Sequence, residues 1–496
     1  MRAALVAAVL YALAAVGPAE AAPRFGIADD AGKYADDGGA VFFERIRSLG
    51  MTDNRVTILW HPDRPRTIDE RSFLDAAVPN AAAQGVRIVL HVYPAQPTGL
   101  TASPARQVQF ARFLGQLARA YPDVREFVVG NEPNQPRFWQ PQFTRSGRGA
   151  AARSYAKLLA RSYDTLKAVS PRIKVIGLGL SGRGNDVPYA RSNASTSPVR
   201  FLRDLGAAYR ASGRKAPLMD ELGVHPYPRS DRDSVLTGDR WPRAGLVNLG
   251  RLKQAVWDAF AGTGQPTVED GLKLRIDEIG WQVAVPESRA GSYTGRETSS
   301  VTSEPAQAAN YVKLVQLAVC DPSISALYLL HLKDDPDLER FQSGLERADG
   351  SRRPAFAAVR QAVVRARRGC RGKKVAWRHA TTVVGARAAF GVTSRPSWHA
   401  RRSWGFKVTA AEGAGFRAGI YRAPATARTL GRSLASRRAP GALATTTGTV
   451  RAGWHPRASF RGLRLRPGRY VYAVRLRASM NARRAKVLVS RPFVVR

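Results

Sequence analysis

Cysteine is nearly absent from this sequence: two residues in 496, Cys320 and Cys370. Two thiols exclude a disulfide-dense scaffold and a four-cysteine zinc site, and leave one pair that an oxidising compartment would allow to bond. Long apolar runs are equally scarce. After an Ala/Val/Leu stretch ending near Val16, no segment approaches the ~20 apolar residues of a membrane-spanning helix. That stretch follows Arg2 and precedes Ala19-Glu20-Ala21, the layout of a secretory signal. Residues 1–21 are therefore expected to be a signal peptide and the remainder a soluble, secreted protein, with a retained N-terminal anchor as the alternative. Acidic residues are short as well: 38 Asp and Glu against 78 Lys and Arg leave a formal charge of +40. From residue 371 on, 28 Lys and Arg face a single acid, Glu412. Such a field favours anionic partners, and for an exported chain a cell-envelope polymer is expected rather than nucleic acid.

A Gly-rich phosphate loop is missing after the first apolar run, which argues against a doubly wound nucleotide-binding sheet. What is present is a repeating pattern of short apolar run, polar loop and helical-period segment from residue 24 to about 332. The runs are 24–29, 55–60, 87–94, 126–133, 174–181, 221–228, 274–281 and 326–332. Most are continuous Val/Ile/Leu rather than alternating, as in parallel strands covered on both faces. Eight such units predict a (β/α)₈ barrel, with long loops after strands six and seven and a closing helix at 353–369. Ser303, Glu304 and Pro305 mark one helix start. Past residue 370 the pattern shifts to short alternating runs split by Gly, Pro and Ser. About seven strands there predict a β-sandwich of immunoglobulin or fibronectin type. The expected division is 1–21 signal, 22–370 barrel and 371–496 basic accessory domain.

Active sites of such barrels lie at the C-terminal ends of the strands. Those ends carry Trp60 on strand two, His91 and Tyr93 on three, Asn131 and Glu132 on four, His225 and Tyr227 on six, and Glu278 and Trp281 on seven. Glu132 and Glu278 would face each other across the barrel mouth, and a pair of carboxylates flanking a bond is what a glycosidase requires. In "GNEP" (130–133), "HPY" (225–227) and "DEIGW" (277–281), taken together, residues 24–360 resemble the clan A glycoside hydrolases, the cellulase-like and β-glycosidase-like barrels. The resemblance implies a retaining mechanism with Glu132 as acid/base and Glu278 as nucleophile. It also implies Asn131 on the sugar 2-hydroxyl, and His225 and Tyr227 beside the nucleophile. Trp60, Trp139 and Trp281 are read as candidate sugar-stacking walls or as core, and His91 as a sugar contact or a satisfied barrel histidine. Arg55 is similar to the clan's strand-two arginine, but it opens its run rather than ending it and is not carried over.

Strand eight departs from the clan, offering Leu330, His331, Asp334 and Asp335 where a tryptophan is common. No metal and no cofactor are expected in the chemistry, and the chain is expected to be a monomer acting on carbohydrate. A degenerate glycan-binding protein and a transglycosylase using the same residues are the alternatives.

Overall fold

The computed structural model describes residues 22–380 without interruption. Beyond them it describes 387–392, 404–409, 414–423, 441–450, 457–460, 463, 465–477, 486–490 and 492–495. The expected signal segment, 1–21, lies outside the described residues.

Eight parallel strands close into a barrel in chain order: β1 (Arg24–Ala28), β2 (Asp53–Trp60), β3 (Arg87–Pro94), β4 (Glu126–Val129), β5 (Lys174–Ser181), β6 (Glu221–His225), β7 (Lys273–Ile279) and β8 (Ile324–Leu329). Closure is direct, β1 pairing β8 with Arg24 opposite Ala326. Eight α-helices of the described residues cover it: α1 (Ala40–Ser48), α2 (Arg71–Ala83), α3 (Pro104–Ala120), α4 (Ala151–Val169), α5 (Pro198–Ala211), α6 (Leu249–Phe260), α7 (Glu304–Val319) and α8 (Pro354–Ala366). The Ser303 cap forms as its sequence suggests, its hydroxyl accepting from the Ala306 N–H at 3.4 Å, with Pro305 in the first turn. The main core lies between strands and helices; a second cluster of Ala28, Val89, Val128, Ile176, Ala326 and Tyr328 fills the barrel lumen. Stripes of apolar residues on the helices and two-sided apolar strands meet in this shell, so the barrel is packed solid below its mouth.

Cys320, the C-cap of α7, is bonded to Cys370 just past α8, with Cα atoms 4.8 Å apart. The chain then stays on the barrel: Val375 N–H donates to Cys320 O, and the His379 ring stacks on Trp257 of α6 at 3.9 Å. Beyond this, the described residues form eight antiparallel strands: β9 (Arg387–Val392), β10 (Trp404–Thr409), β11 (Ala414–Arg422), β12 (Ala444–Val450), β13 (Arg457–Phe460), β14 (Gly468–Arg477), β15 (Lys486–Val489) and β16 (Phe493–Val495). They form a three-stranded sheet, β13-β10-β9, and a second sheet, β12-β11-β14-β15, with β16 paired to β14. Phe460 of the first sheet packs with Ile420, Tyr472 and Val474 of the second, giving a small sandwich core. The barrel followed by an all-β sandwich is the fold the sequence predicts.

Candidate active site

The "GNEP" turn is built by backbone that ordinary residues resist. Gly130 has φ +81°, and a Cβ there would meet the Tyr155 ring at 2.9 Å. Glu132 itself has φ +37°, a left-handed conformation that costs a side-chain-bearing residue free energy. Two hydrogen bonds hold it: Glu132 N–H to Gly179 O at 3.1 Å, and Gln135 N–H to Glu132 O at 2.8 Å. Gly179 lies in an irregular stretch of β5, between Gly177 and Leu180, where the register with β6 shifts. Asn134 pins this turn to the neighbouring loop, donating to the carbonyls of Ser181, Arg183 and Thr196. The turn thus aims the Glu132 carboxylate into a cavity of about 650 Å³ at the barrel mouth, which Asn131, Tyr227, Glu278, Leu330 and Phe341 also line.

Glu278 is gripped from three sides. Arg55 Nη2 donates to Oε2 at 2.7 Å, the Tyr227 hydroxyl donates to Oε1 at 2.7 Å, and His225 Nδ1 lies 4.0 Å from Oε2. Burial alone would raise its pKa; the charges of His225 and Arg55 and the Tyr227 hydrogen bond outweigh it and hold the group at about 2. Glu278 is therefore ionised at neutral pH. Glu132 makes a single side-chain contact among the described residues, Oε1 to His225 Nδ1 at 3.1 Å. One imidazole nitrogen thus reaches both carboxylates, which places these two oxygens no more than about 7 Å apart. That bound on one pair of oxygens is compatible with the spacing of about 5–5.5 Å between the carboxyl groups of retaining pairs.

His225 is buried among carboxylates. Its Nε2 lies 3.3 Å from Asp277 Oδ1, opposite the Glu132 contact. Burial would strip its proton, but the charges of Glu278 and Asp277 and the contacts to Asp277 and Glu132 raise its pKa to about 10. It is an imidazolium at neutral pH. His91 is the reverse case: burial and the charges of Arg55 and His225 push its pKa well below the ordinary value. Its Nε2 faces Gly130 O at 3.0 Å while Nδ1 faces Arg55 Nη1, so the neutral tautomer donates to the carbonyl and accepts from the guanidinium.

Two residues here are left out of the expected site: Arg55, set aside for its place in the run, and Asp277, not singled out. Arg55 opens the apolar run of strand two, yet β2 begins earlier, at Asp53, and Arg55 stands opposite Ala28, the last residue of β1. The stagger of the barrel brings this position level with the mouth. Asp277 directly precedes Glu278, and strand alternation would turn one of the two outward. The register of β7 against β8 shifts between Ile276 and Ile279, and at this bulge both side chains approach His225. A charged residue inside an otherwise apolar run was the available signal for each.

Of the residues expected to bind substrate, Asn131 and Tyr227 line the cavity, and the buried Asn131 Oδ1 has no hydrogen-bond partner among the described residues. Of the paired readings of Trp60, Trp139, Trp281 and His91, the structure favours the core or supporting one, and only the substrate contact is corrected for these residues and for His225. Trp60 is fully buried, edge-on to Phe110, its indole N–H donating to Pro65 O at 3.2 Å. Trp281 is fully buried edge-on to Tyr311, its N–H donating to Asp233 O at 3.0 Å. Both rings pack as core, as does Trp139 against Tyr155. His91 and His225 are also buried, with ring nitrogens directed at protein groups, so they support the carboxylates and Arg55 rather than line the cavity. The exposed ring at the cavity is Phe341, 46% accessible and edge-on to His331. Asp334 is buried and accepts from Arg353 and Tyr293, both at 2.6 Å. The two long loops meet as one wall: Ser300 Oγ receives the Asp231 N–H at 3.1 Å, and Asp231 Oδ1 receives the Gln282 N–H at 2.8 Å.

No protein-family model matches the sequence, and no curated protein matches it. Solved structures do show likenesses. A family 39 glycoside hydrolase from the gut symbiont Bacteroides cellulosilyticus WH2 is 17% identical, with 82% of this chain and 74% of that one covered, at a TM-score of 0.49. A GH5_18 protein from Bifidobacterium longum subsp. infantis is 14% identical over 72% and 81% of the two chains, at 0.47. A monomeric β-xylosidase from Caulobacter crescentus CB15 is 15% identical over 89% and 95%, at 0.44. At these identities and scores no residue role transfers from them.

Proposed function

We propose that this chain is a retaining glycoside hydrolase that cleaves β-linked O-glycosidic bonds by double displacement. The observation that carries the reading is the unequal carboxylate pair: Glu278, held ionised by Arg55, His225 and Tyr227, opposite the lightly held Glu132, in one cavity. Glu278 attacks the anomeric carbon while the bond to the leaving oxygen breaks and Glu132 gives that oxygen its proton. Water then attacks the glycosyl ester, Glu132 takes the water's proton, and Glu278 leaves as carboxylate. The Asn131 side chain meets the sugar 2-hydroxyl, a contact that strengthens as positive charge develops at the anomeric carbon. Arg55, His225 and Asp277 are positioning residues: they fix the rotamer and charge of the nucleophile without touching sugar. The reading asks for no metal and no cofactor.

In this reading residues 1–21 are a secretory signal, 22–370 the hydrolase unit and 371–496 a basic module that retains a monomeric enzyme at an anionic envelope polymer. The test is product release from a panel of β-glucans, mannans, xylans, galactans and arylglycosides by wild type and by Glu278→Gln. Release by wild type alone, with retained anomeric configuration in the first product, supports the proposal and names the sugar. Product with inverted configuration overturns the double displacement. Silence from folded wild type across the panel, with glycan binding intact, replaces the hydrolase with a glycan-binding protein. Longer oligosaccharides in place of free sugar identify a transglycosylase.

A further inference from the structure

A second cavity, about 890 Å³, runs between α4 and α5 on the outer face of the barrel. Its floor is small and apolar, with Ala156 and Ala160 from α4 and Ala208 from α5 among its lining. Its rim is strongly basic. Two acids, Asp164 and Asp204, line it, and both are engaged: Asp164 by Arg214 at 2.6 Å, Asp204 by Arg203 at 3.0 Å. Four more cations, Arg148, Arg153, Lys157 and Arg161, line the same groove with no ion pair among the described residues. Arg153, Lys157 and Arg161 follow one another at four-residue steps along α4, all exposed, so each charge stands about 6 Å farther along the helix axis than the last. Like charges at this spacing repel and weaken the helix that carries them, and no acid pairs with these three among the described residues.

From this arrangement we propose that the α4–α5 groove is a binding site for a linear polyanion, specifically a carboxylate-bearing polysaccharide. A regular row of cations along a straight trough matches a chain with a regularly repeated anion. The repulsion along α4 is relieved when that chain is bound. Single-stranded nucleic acid fits less well, because its sequence-independent sites stack bases on aromatic rings. The aromatic residue lining this groove is Tyr209, which is buried. The groove also adjoins the catalytic mouth. Arg200 on its wall donates to Gly147 O and Asp186 O, tying together the loops that precede α4 and α5, and the second of these carries Arg183 and Asn193 of the catalytic cavity. A glycan held there keeps its neighbouring segments beside the cleft.

The test uses the full chain and fluorescein-labelled polygalacturonate, read by fluorescence anisotropy at fixed ionic strength. The variant Arg153→Gln/Lys157→Gln/Arg161→Gln removes the row. A matched control, Arg360→Gln/Arg365→Gln/Arg368→Gln, removes three cations on and just after α8. Glutamine keeps helix propensity close to that of Arg and Lys, and thermal melts confirm that both variants fold. The groove variant is expected to bind about tenfold more weakly, while the control stays within about twofold of wild type, and the groove's share of the binding fades as salt rises. Equal losses in the two variants, or no loss in the groove variant, overturn the proposal. So does more effective competition by an oligo(dT) than by unlabelled polygalacturonate at equal anionic charge, which assigns the groove to nucleic acid. Binding is the readout throughout, so the outcome is independent of whether the mouth hydrolyses anything.

Discussion

Glu126 opens β4 and Glu132 stands in the turn three residues past its end, and the barrel treats them oppositely. At the bottom, Glu126 accepts from Arg24 at 2.7 Å and from Arg275 at 2.6 Å. Glu221 accepts from Arg275 at 2.8 Å and Lys174 at 3.1 Å, and Asp53 from Arg87 and Tyr328, both at 2.7 Å. Counting Arg24, Arg87, Lys174 and Arg275, four cations neutralise three carboxylates. At the top, Glu132, Asp277 and Glu278 share two cations, Arg55 and His225, and Glu132 opens onto a cavity. Burying charge is tolerable when it is fully paired. The bottom cluster meets that condition and stabilises a fold; the top falls one cation short and leaves a carboxylate for chemistry. A buried carboxylate is therefore not a site by itself, and the balance of partners separates the two roles.

Exchanging one carboxylate at each end tests this most severely. Glu278→Gln is expected to lower kcat by about 10⁴-fold or more in protein that remains folded, because it removes the proposed attacking oxygen. Glu126→Gln should do the opposite. It leaves Arg24 and Arg275 short of a partly buried partner, for a loss of about 3–5 kcal/mol in a denaturant melt, with kcat per folded molecule unchanged. If Glu126→Gln abolished turnover in folded protein, the division of labour between the two ends would fail.

The pH dependence of stability sharpens the comparison with a smaller effect. Glu126 is partly buried, which would raise its pKa, but Arg275 and Arg24 hold it at about 2, below its ordinary 4.5. Its stabilisation is thus full above 4.5 and disappears as pH falls through 2, about 3 kcal/mol in all. Glu278 at the top shares that acid window. His225 adds a window of its own: with its pKa raised from 6.5 to about 10, its stabilisation is full below 6.5 and is lost as pH rises through 10. Melting temperatures from pH 2 to 10 should then show that Glu126→Gln reduces the acid loss and leaves the alkaline decline alone. In Glu278→Gln, His225 loses its largest carboxylate attraction, so the alkaline decline moves to lower pH.

The sequence and the structure agree where period carries the information. Apolar runs of six to eight residues located all eight strands within a few positions, because a two-sided parallel strand has no alternation to confuse with a helix. Glu132 and Glu278 were legible because polar residues end apolar runs there. The rest depends on features that a single sequence does not display. Trp60 and Trp281 look like sugar walls from their positions at strand ends, but whether a ring faces the mouth or the helical shell is a matter of orientation, and both face the shell. Arg55 was hidden by stagger between strands and Asp277 by a bulge; each breaks the assumption that sequence position along a strand gives height and face. The expected boundary at 370 rests on the shift in composition, whereas residues 371–380 still pack on the barrel through His379, which bonds Glu269 at 2.6 Å.

The smallest effect concerns a tyrosine at each end. Tyr227 donates to Glu278 at the top, and Tyr328 donates to Asp53 at the bottom, both at 2.7 Å. Both phenols are buried beside a carboxylate, with pKa values well above the ordinary value, so each remains a donor at any pH the protein tolerates. Removing either hydroxyl deletes one hydrogen bond to a charged group, worth about 1.5–3 kcal/mol in general. At the bottom that energy belongs to folding, and Tyr328→Phe should lower the melting temperature without moving the pH–rate profile. At the top part of it holds the charge and rotamer of Glu278, the proposed nucleophile. Tyr227→Phe should lower kcat about tenfold and shift the acid limb of kcat/KM upward by about one unit, since Arg55 and His225 still favour the ionised form. A Tyr227→Phe profile that superimposes on wild type would mean that this tyrosine, like its counterpart below, serves the fold alone.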